Sequence, residues 1–402
     1  MKKLVALLLT LALCLTAFAA LAADPIPAAD LKIGAILVGD ETEGYTLAHM
    51  DGIREAVAAL GLDESQIIWK YKVEETAACL TAAEDLADQG CQVIISNSYG
   101  HQDFMDQAAE EFEDEDIVFV AMTGDYAAIS GKDNLYNAFT KVFQSRYVSG
   151  VVAGLKIAEL VETGVVTPET TPNAFDAEGN VKVGYVGAFP YAEVVSGYTA
   201  FFLGIRSVYP GVVMEVQYTN SWFDIPAEAA AGEALVANGC VIVGQHADST
   251  GAPSALEKLL SNGTVCYSVG YNIDMLEVAP NAALTSPTNG WGKYYTDLFS
   301  ALLNGDEVPQ DWAKGYEADA VGITALGSSV AAGTAEKVAE VEAALADGSL
   351  KVFDTATFTV NGETLTEYLA DVDDMGDFQP ETNVISDGFF HESEFRSAPY
   401  FD

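Results

Sequence analysis

Residues 32–57, KIGAILVGDETEGYTLAHMDGIREAV, join an apolar run, a polar turn and an amphipathic segment in one continuous stretch. The run Lys32–Gly39 predicts a strand that is buried on both faces, because its apolar residues do not alternate with polar ones. From Thr46 to Leu60, apolar side chains recur every three or four residues, which is the spacing of one helix face. A buried strand that leads into a helix is typical of a parallel sheet, so this stretch predicts the α/β fold class.

The same unit recurs along the chain in two consecutive series. The first series continues with predicted strands at Ile67–Tyr71, Cys91–Ser96 and Ile117–Met122, and with predicted helices at Thr76–Asp88, Gln102–Phe112 and, after them, Val148–Leu160. The polar stretch Thr163–Gly179 then predicts a surface insertion. The second series has predicted strands at Val181–Gly187, Val213–Tyr218, Cys240–Gln245 and Val265–Tyr271, and helices at Val194–Tyr209, Ala227–Asn238 and Ser254–Leu260.

Two such series predict two doubly wound parallel-sheet lobes. Ligands of open α/β sheets bind outside the carboxyl ends of the strands. Two lobes in tandem therefore predict a cleft that closes on a small molecule by hinge motion.

The first 22 residues predict a secretory signal peptide. Lys2 and Lys3 precede an apolar run, and Ala20, Leu21 and Ala22 then form an A-x-A cleavage site. Cys14 offers a second interpretation, a lipid anchor, although Leu13 stands where a lipobox has a small residue. Either interpretation predicts export across the cytoplasmic membrane to the periplasm or the cell surface.

The net charge of −42 over 402 residues limits the partners of this protein. Binding to nucleic acid needs clustered lysine and arginine, and so does docking on anionic lipid, so neither is expected. We expect most of the 60 acidic side chains to be solvated surface.

Four cysteines follow the predicted signal peptide, and none forms a C-x-x-C pair that would indicate a zinc or redox site. Cys79 and Cys91 fall at opposite ends of an αβ unit and should not pair. Cys240 and Cys266 begin neighbouring predicted strands, so a disulfide and two buried thiols both remain open there.

No motif of an enzyme is present: the chain has no G-x-S-x-G, G-x-x-x-x-G-K-[ST], H-E-x-x-H or G-x-G-x-x-G. The sequence therefore predicts a binding protein that needs no cofactor. We expect His49 on a helix surface, and the acids of loop 40–43 in solvent because they lack calcium-loop spacing. His101 and His246 follow strands of different lobes, where hydrogen bonding is the expected role and a shared metal site is the alternative.

Aromatic side chains stand beside amides and carboxylates where the predicted strands end. Such a combination suits a flat heteroaromatic ligand, because rings stack on its faces and polar groups bind its edges. The residues concerned are Tyr45, Tyr99, Phe189, Trp222, Phe223, His246, Asp248, Asn272, Asp274 and Trp291, with Asp125 also near the cleft.

Several of these stretches together resemble the basic membrane protein family of bacterial solute-binding proteins, of the purine-nucleoside-receptor type. The matching stretches are GDETEGYTLAHMDGIREAV, SNSYGHQDF, NAFTKVFQSRYVSGVVAG, VGYVGAFPYAEVVSG, NSWFDIPAEA, GQHADSTG, VGYNIDM and LTSPTNGWGKYY. The resemblance implies a type I periplasmic-binding fold, with two lobes joined by about three crossovers, and delivery of a purine base or nucleoside to the permease of an ABC importer.

The resemblance also implies domain limits. They are residues 32–143 plus about 272–305 for lobe 1, about 144–271 plus about 306–357 for lobe 2, and 358–402 for an acidic C-terminal extension.

By position, the resemblance implies that Tyr45 and Trp222 stack on the purine and that Asp248 binds a ring N–H. Asn272 stands where nucleoside-binding members have a ribose-binding aspartate, Asn289 where they have a lysine, and Thr46 where many have asparagine. These differences favour a free base or another flat solute over a nucleoside. A sensory receptor component with the same lobes, and a secreted hydrolase on a similar scaffold, remain as other hypotheses.

Overall fold

The computed structural model describes residues 25–370 and 382–392. The predictions for residues 1–22, including the lipid-anchor alternative at Cys14, lie outside the described residues. Within the described part of the chain, no helix is both long enough and apolar enough to cross a membrane.

Helices and strands alternate along the chain as the two series predict. The strands up to residue 323 are β1 (Ile33–Ile36), β2 (Ile67–Lys70), β3 (Val93–Ser96), β4 (Val118–Met122), β5 (Leu135–Thr140), β6 (Val181–Gly187), β7 (Val212–Tyr218), β8 (Ile242–Gln245), β9 (Tyr267–Val269), β10 (Pro287–Asn289), β11 (Asp311–Lys314) and β12 (Val321–Ile323). The α-helices are α1 (Gly44–Ala59), α2 (Ala77–Asp88), α3 (Gln102–Glu111), α4 (Ala127–Ser130), α5 (Val142–Glu162), α6 (Ala192–Val208), α7 (Ile225–Ala237), α8 (Gly251–Ser261), α9 (Trp291–Asn304) and α10 (Thr334–Ala346).

The first lobe is built on a parallel sheet with the strand order β11-β5-β4-β3-β1-β2. Apolar clusters cover both of its faces, which is why the strands carry unbroken apolar runs. The order reverses at β1, which lies between β2 and β3. Such a switch point leaves a crevice at the carboxyl ends of β1 and β3, and the residues that follow these two strands surround it.

The second lobe repeats the arrangement with the parallel order β7-β6-β8-β9. Here β6 occupies the place of β1, so the crevice opens after β6 and β8. Together the two sheets confirm the predicted fold class of two doubly wound α/β lobes. The solved structures that share this fold are described below with the site.

Helices α5 and α6 of the second lobe cross at two glycines. A Cβ atom on Gly150 would lie 2.1 Å from the carbonyl oxygen of Phe201, and one on Gly204 would lie 2.1 Å from that of Tyr147. Only glycine allows backbones to approach so closely. This crossing holds the start of α5, which follows directly on β5, against the second lobe.

The chain passes between the lobes near Lys141, Asn289 and Gly315. Strand β11 pairs with β5 in the first sheet, although the sequence predicted residues 306–357 for lobe 2. Residues from about 272 were predicted for lobe 1, but Met275 and Ala283 pack in the second-lobe core. The return to lobe 1 therefore comes later, where β10 pairs antiparallel with β12.

The C-terminal segment packs into the second lobe. Phe358, Val384 and Phe390 are buried in the same cluster as α5 and α6, and the ring of Phe353 lies 5.0 Å from that of Phe143. Short strand pairs tie the segment together: β13 (Leu369–Ala370) with β14 (Thr382–Asn383), and β15 (Ile385–Ser386) with β16 (Phe389–Phe390). The described part of residues 358–392 is therefore part of the lobe 2 core, and not a separate acidic extension.

Candidate functional site

An inner chamber lies between the lobes, at the carboxyl ends of the strands that flank the two switch points. The space between its walls that a water molecule can occupy is about 30 Å³, so the two lobes lie close together here. Its walls are Val38, Glu43, Tyr45, Ser98, Tyr99 and Thr123 from the first lobe, and Glu193, Trp222, His246, Asp248 and Tyr271 from the second.

The first-lobe wall presents Tyr45 from the first turn of α1. Its hydroxyl donates to the carbonyl oxygen of Asn97 over 2.6 Å, and its ring meets His49 edge-on at 4.6 Å. His49 stacks on Trp291 at 4.5 Å and shares a 2.6 Å hydrogen bond with the hydroxyl of Tyr295. Burial lowers the pKa of His49 to about 3, so this support is neutral. The prediction that His49 lies on a helix surface is wrong, because that face of α1 packs against α9.

Glu43 also belongs to this wall, although the sequence predicted solvated acids in this loop. The hydroxyl of Thr46 donates to its carboxylate, and the side-chain amide of Asn97 donates to the same hydroxyl over 3.2 Å. Burial raises the pKa of Glu43, and the nearby charges of Asp40 and Glu75 add to the shift. Thr46 itself is fully buried behind the wall and supports Glu43.

The second-lobe wall presents Asp248, which follows β8. Its backbone N–H donates to the carbonyl oxygen of Trp222, and the side-chain amide of Asn272 donates to its carboxylate, both over 2.8 Å. Asn272 accepts in turn from the side-chain amide of Asn289 over 2.9 Å, and the hydroxyl of Thr140 donates to Asn289. These bonds run from the cleft through β10 to the end of β5, and therefore connect Asp248 to both lobes.

Burial raises the pKa of Asp248 well above its ordinary value, and the carboxylates of Glu43, Glu228 and Glu193 raise it further. Glu228 is itself buried and accepts from the backbone N–H groups of Ser249 and Asp224. The chamber is thus rich in acceptors, and a ligand that offers N–H donors would relieve the cost of its buried carboxylates.

Trp222 belongs to an aromatic cluster on the same wall. Its ring lies 5.1 Å from Phe189 and 6.0 Å from Tyr191, and Phe189 stacks on Tyr191 at 5.1 Å. Across the mouth of the cleft, Tyr191 lies 6.4 Å from Tyr99 of the first lobe. Packing against its neighbours therefore fixes the plane of the Trp222 ring.

Arg146 lies behind the second-lobe wall and is fully buried. It donates to the hydroxyl of Tyr185 over 2.5 Å and to the carbonyl oxygen of Gln245 over 2.8 Å, and it lies 3.8 Å above the ring of Tyr271. Burial and the Arg146 charge lower the pKa of His246 well below its ordinary value. The 3.4 Å contact of His246 with Glu193 is therefore one between a neutral ring and a carboxylate.

An outer chamber adjoins the inner one and shares Tyr99, Thr123, Glu193 and Trp222 with it. The space in it that a water molecule can occupy is about 400 Å³, and it is also lined by Asp125, Phe139, Pro190, Tyr191, Ala192 and Glu392. A small recess shares Tyr45, His246 and Tyr271 with the inner chamber and reaches Asn289 and Trp291.

The predicted site residues fall into four groups. Those that line the inner chamber are Tyr45, Tyr99, Trp222, His246 and Asp248. Phe189 packs against Trp222, Asn272 donates to Asp248, Thr46 supports Glu43, and Trp291 lines the recess.

Phe223 and Asp274 line none of the three chambers. Ser221 donates to the carbonyl oxygen of Phe223, and Asp274 is exposed, where its carboxylate accepts from the backbone N–H of Leu276. Each stands one or two residues from a residue of the site, but its side chain is directed elsewhere.

Several residues of the site were not predicted. Glu43, Ser98, Thr123, Glu193 and Tyr271 line the inner chamber. Glu193 could have been predicted from the sequence, because it follows β6 at a switch point, as Tyr45 follows β1.

Among the described residues, no group of three or more histidine, cysteine, aspartate or glutamate side chains is placed to hold a metal ion. His101 bonds the carbonyl oxygen of Val73 within the first lobe, away from His246, so the two histidines do not share a site. The described cysteines, 79, 91, 240 and 266, are buried free thiols.

Comparison with known proteins gives a consistent result. The family model described as ABC transporter substrate-binding protein, PnrA-like, matches residues 39–349. A purine-binding protein of Brucella abortus is 33% identical over 278 residues, which cover 68% of this chain and 69% of that protein. A Haloferax volcanii protein named as an ABC transporter glucose-binding protein is 28% identical over 319 residues, covering 78% of this chain and 72% of that one.

Solved structures share the fold at low identity. A solute-binding protein of an Aeropyrum pernix ABC transporter superposes with a TM-score of 0.65 at 12% identity, covering 80% of this chain and 93% of that one. A Conexibacter woesei solute-binding protein gives 0.60 at 17% identity, covering 80% and 98%. These structures confirm the two-lobed periplasmic-binding architecture.

Proposed function

Because this chain belongs to the family of PnrA-like ABC transporter substrate-binding proteins, we propose that it captures a purine base or nucleoside between its lobes and delivers it to a membrane permease. Substrate-binding proteins of ABC transporters work outside the cytoplasm. Export by residues 1–22, with or without a lipid anchor at Cys14, would place this protein there.

The observation that carries the proposal is one chamber lined by Tyr45 of the first lobe and Trp222 of the second. A flat ring held between the lobes would contact both aromatic side chains. Stacking of a base on an aromatic ring contributes about 1–3 kcal/mol. Contact with both rings also requires the lobes to approach each other, so it would couple binding to closure.

Asp248 supports the proposal because it could hydrogen-bond the edge of a purine ring. Its carboxylate reaches the chamber and is oriented by Asn272. A purine presents ring N–H groups and ring nitrogens along its edge. A buried carboxyl can bind either, since it accepts as the carboxylate and donates when protonated. The Brucella relative, which is named for purine binding, supports the same ligand class.

A calorimetric titration with adenine, guanine, adenosine, guanosine and glucose tests the proposal. We expect at least one purine to bind and to raise the unfolding temperature. Glucose is included because the Haloferax relative is named for it. Binding of glucose without any purine would contradict the proposal.

Delivery to a permease is tested in cells. A strain without this protein should lose uptake of the purine that the titration identifies, and the wild-type gene should restore it. D248N, which keeps the shape of Asp248, should restore uptake poorly. Full uptake without the protein would contradict the transport role.

A further inference from the structure

Two carboxyl groups from opposite lobes meet in the inner chamber. Glu43 directly precedes α1 in the first lobe, and Asp248 follows β8 in the second. Both residues line the chamber, and they are only 7% and 4% exposed. The same chamber therefore takes an acidic group of each lobe out of bulk water.

The lobes touch directly beside these two groups. A Cβ atom on Gly44 would lie 3.4 Å from the backbone carbonyl oxygen of Asp248 and 3.3 Å from Cγ1 of Ile273, which packs in the second lobe. One water molecule needs about 10–15 Å³ of accessible space, so the chamber, with about 30 Å³, has room for about two. So little water does not hydrate two carboxylates as bulk solvent would.

The groups around Asp248 are mostly acidic or neutral. Glu193 lies on the same wall, and Glu228 is buried behind it. His246 lines the chamber as a neutral ring, because burial lowers its pKa well below the ordinary value. The charge of Arg146 behind the wall opposes the carboxylates, but burial outweighs it and keeps the pKa of Asp248 well above its ordinary value.

Glu43 has acidic neighbours as well. Burial raises its pKa, and the charges of Asp40 and Glu75 raise it further, although the hydroxyl of Thr46 donates to its carboxylate and opposes the shift. Lys72 lies 2.6 Å from the carboxylate of Asp40, in solvent. It therefore balances Asp40 outside the chamber rather than Glu43 inside it.

The chamber wall itself offers no positive charge to either group. Among the described residues of its lining, none is lysine or arginine. Its phenols are neutral at physiological pH, because burial raises the pKa of each: Tyr45, Tyr99 and Tyr271. Two carboxylates that share a poorly hydrated site disfavour each other's ionisation. The closed chamber therefore favours a state with one proton more than two separate, solvated carboxylates would hold.

We propose that the lobes close on their ligand with the uptake of one proton from solvent by the pair Glu43–Asp248. While the lobes are apart, water hydrates both carboxylates and each is ionised at neutral pH. Closure leaves one carboxylate and one carboxylic acid in the chamber, so the pair offers both an acceptor and a donor. This inference rests on the proposed function, since it needs a ligand that closes the lobes.

Calorimetric titrations in two buffers count this proton, because the buffer that supplies it adds its own heat of ionisation. The ligands are adenine, guanine, adenosine, guanosine and glucose, titrated at pH 7 in phosphate and in Tris. The variant E43Q keeps the size of the side chain and an oxygen that can accept from Thr46, but it removes one of the two charges. Its control is E41Q, which changes an exposed glutamate of the same loop.

We expect the wild type and E41Q to take up about one proton per ligand, so their dissociation constants should rise about tenfold per pH unit between pH 6 and 8. E43Q should take up less than about half a proton, which limits the rise to about threefold per pH unit. Asp248 can then stay ionised beside the side-chain amide of Asn272, because no second carboxylate faces it from the first lobe. D248N removes the other charge and should also lose the uptake, and thermal unfolding shows that each variant is folded.

Two results overturn the inference alone: a wild type that binds without proton uptake, or an uptake of one proton that persists in both E43Q and D248N. If glucose binds and no purine does, the proposed function fails, and the buffer comparison with glucose still decides the proton. If none of the five ligands binds, the proposed function fails and this inference fails with it.

Discussion

The two walls of the cleft hold their chamber-facing aromatic side chains in different ways. Tyr45 of the first lobe is supported by neutral rings, namely His49 and Trp291. Trp222 of the second lobe stands beside Asp248, and the buried charge of Arg146 lies behind that wall.

The difference has an energetic consequence. Stacked neutral rings lose little when they leave water, whereas a buried charge is costly unless its hydrogen bonds are made. The ring support of Tyr45 in the first wall therefore carries little desolvation cost, apart from the buried carboxyl of Glu43 beside it. The second wall depends on a set of hydrogen bonds, so changes there should affect stability and affinity more strongly.

The largest effect is expected from R146M. Methionine keeps much of the volume of Arg146, but it leaves the hydroxyl of Tyr185 and the carbonyl oxygen of Gln245 without their donor. Unsatisfied buried groups cost about 1–3 kcal/mol each, so we expect a loss of about 3 kcal/mol in the free energy of unfolding. Urea unfolding followed by circular dichroism measures it.

The matched control is R206M. Arg206 lies on α6, is exposed, and lies 5.9 Å from the ring of Phe202. Its replacement should change stability by less than about 0.5 kcal/mol. Equal losses in R146M and R206M would contradict the dependence of the second wall on the hydrogen bonds of Arg146.

The next effect is on affinity, in W222A. Loss of one stacking surface should cost about 2 kcal/mol, or roughly thirtyfold in the dissociation constant of the purine. W69A is the control, because Trp69 lies on β2, outside the cleft, under Arg54. Y45F keeps the ring of the first wall and should weaken binding about threefold at most. If Y45F weakened binding more than W222A, the Tyr45 hydroxyl would matter more for affinity than the Trp222 ring, contrary to the expected order.

The sequence predicted the parts of this site that depend on strand ends. Tyr45, Trp222 and Asp248 were identified because each follows a strand, and parallel strands bring their carboxyl ends to one edge. Glu43 was missed because a loop acid is usually solvated, and only its bond with Thr46 in the folded chain shows otherwise.

Two other features that the sequence did not predict depend on contacts between distant parts of the chain. Strand β5 was not predicted, because Asn137 interrupts its apolar pattern. In the fold, this buried side chain donates to the carbonyl oxygen of Ala121 and accepts from the N–H of Ala127. Glu392 was also beyond reach, since no local pattern indicates that a C-terminal segment returns to the cleft.

The neutral support of the first wall predicts a pH effect of about 2 kcal/mol. The pKa of His49 is about 3 in the folded chain and about 6.5 when unfolded, so only the unfolded state takes up the proton as pH falls below 6.5. Stability is therefore lost between pH 6.5 and 3. Between pH 7 and 5, H49F should gain about 2 kcal/mol relative to the wild type in urea unfolding.

Y295F controls for the hydrogen bond that H49F also removes, because it keeps the titrating ring. Its stability difference from the wild type should stay constant over the same pH range. A constant difference for H49F as well would show that His49 is protonated in the folded protein, and the first wall would then be charged like the second.

The smallest effect concerns the thiols, where the two lobes should behave alike. Burial raises the pKa of Cys79, Cys240 and Cys266 to about 12 and that of Cys91 to about 11, so thiolate is scarce at neutral pH. We expect no measurable labelling by iodoacetamide in the native protein and labelling of all four in denaturant, as mapped by peptide mass spectrometry. If Cys240 and Cys266 stay unlabelled in denaturant until a reductant is added, they form a disulfide. The second lobe would then carry a covalent constraint that the first lacks, and part of its resistance to unfolding would come from that bond and not from the Arg146 hydrogen bonds.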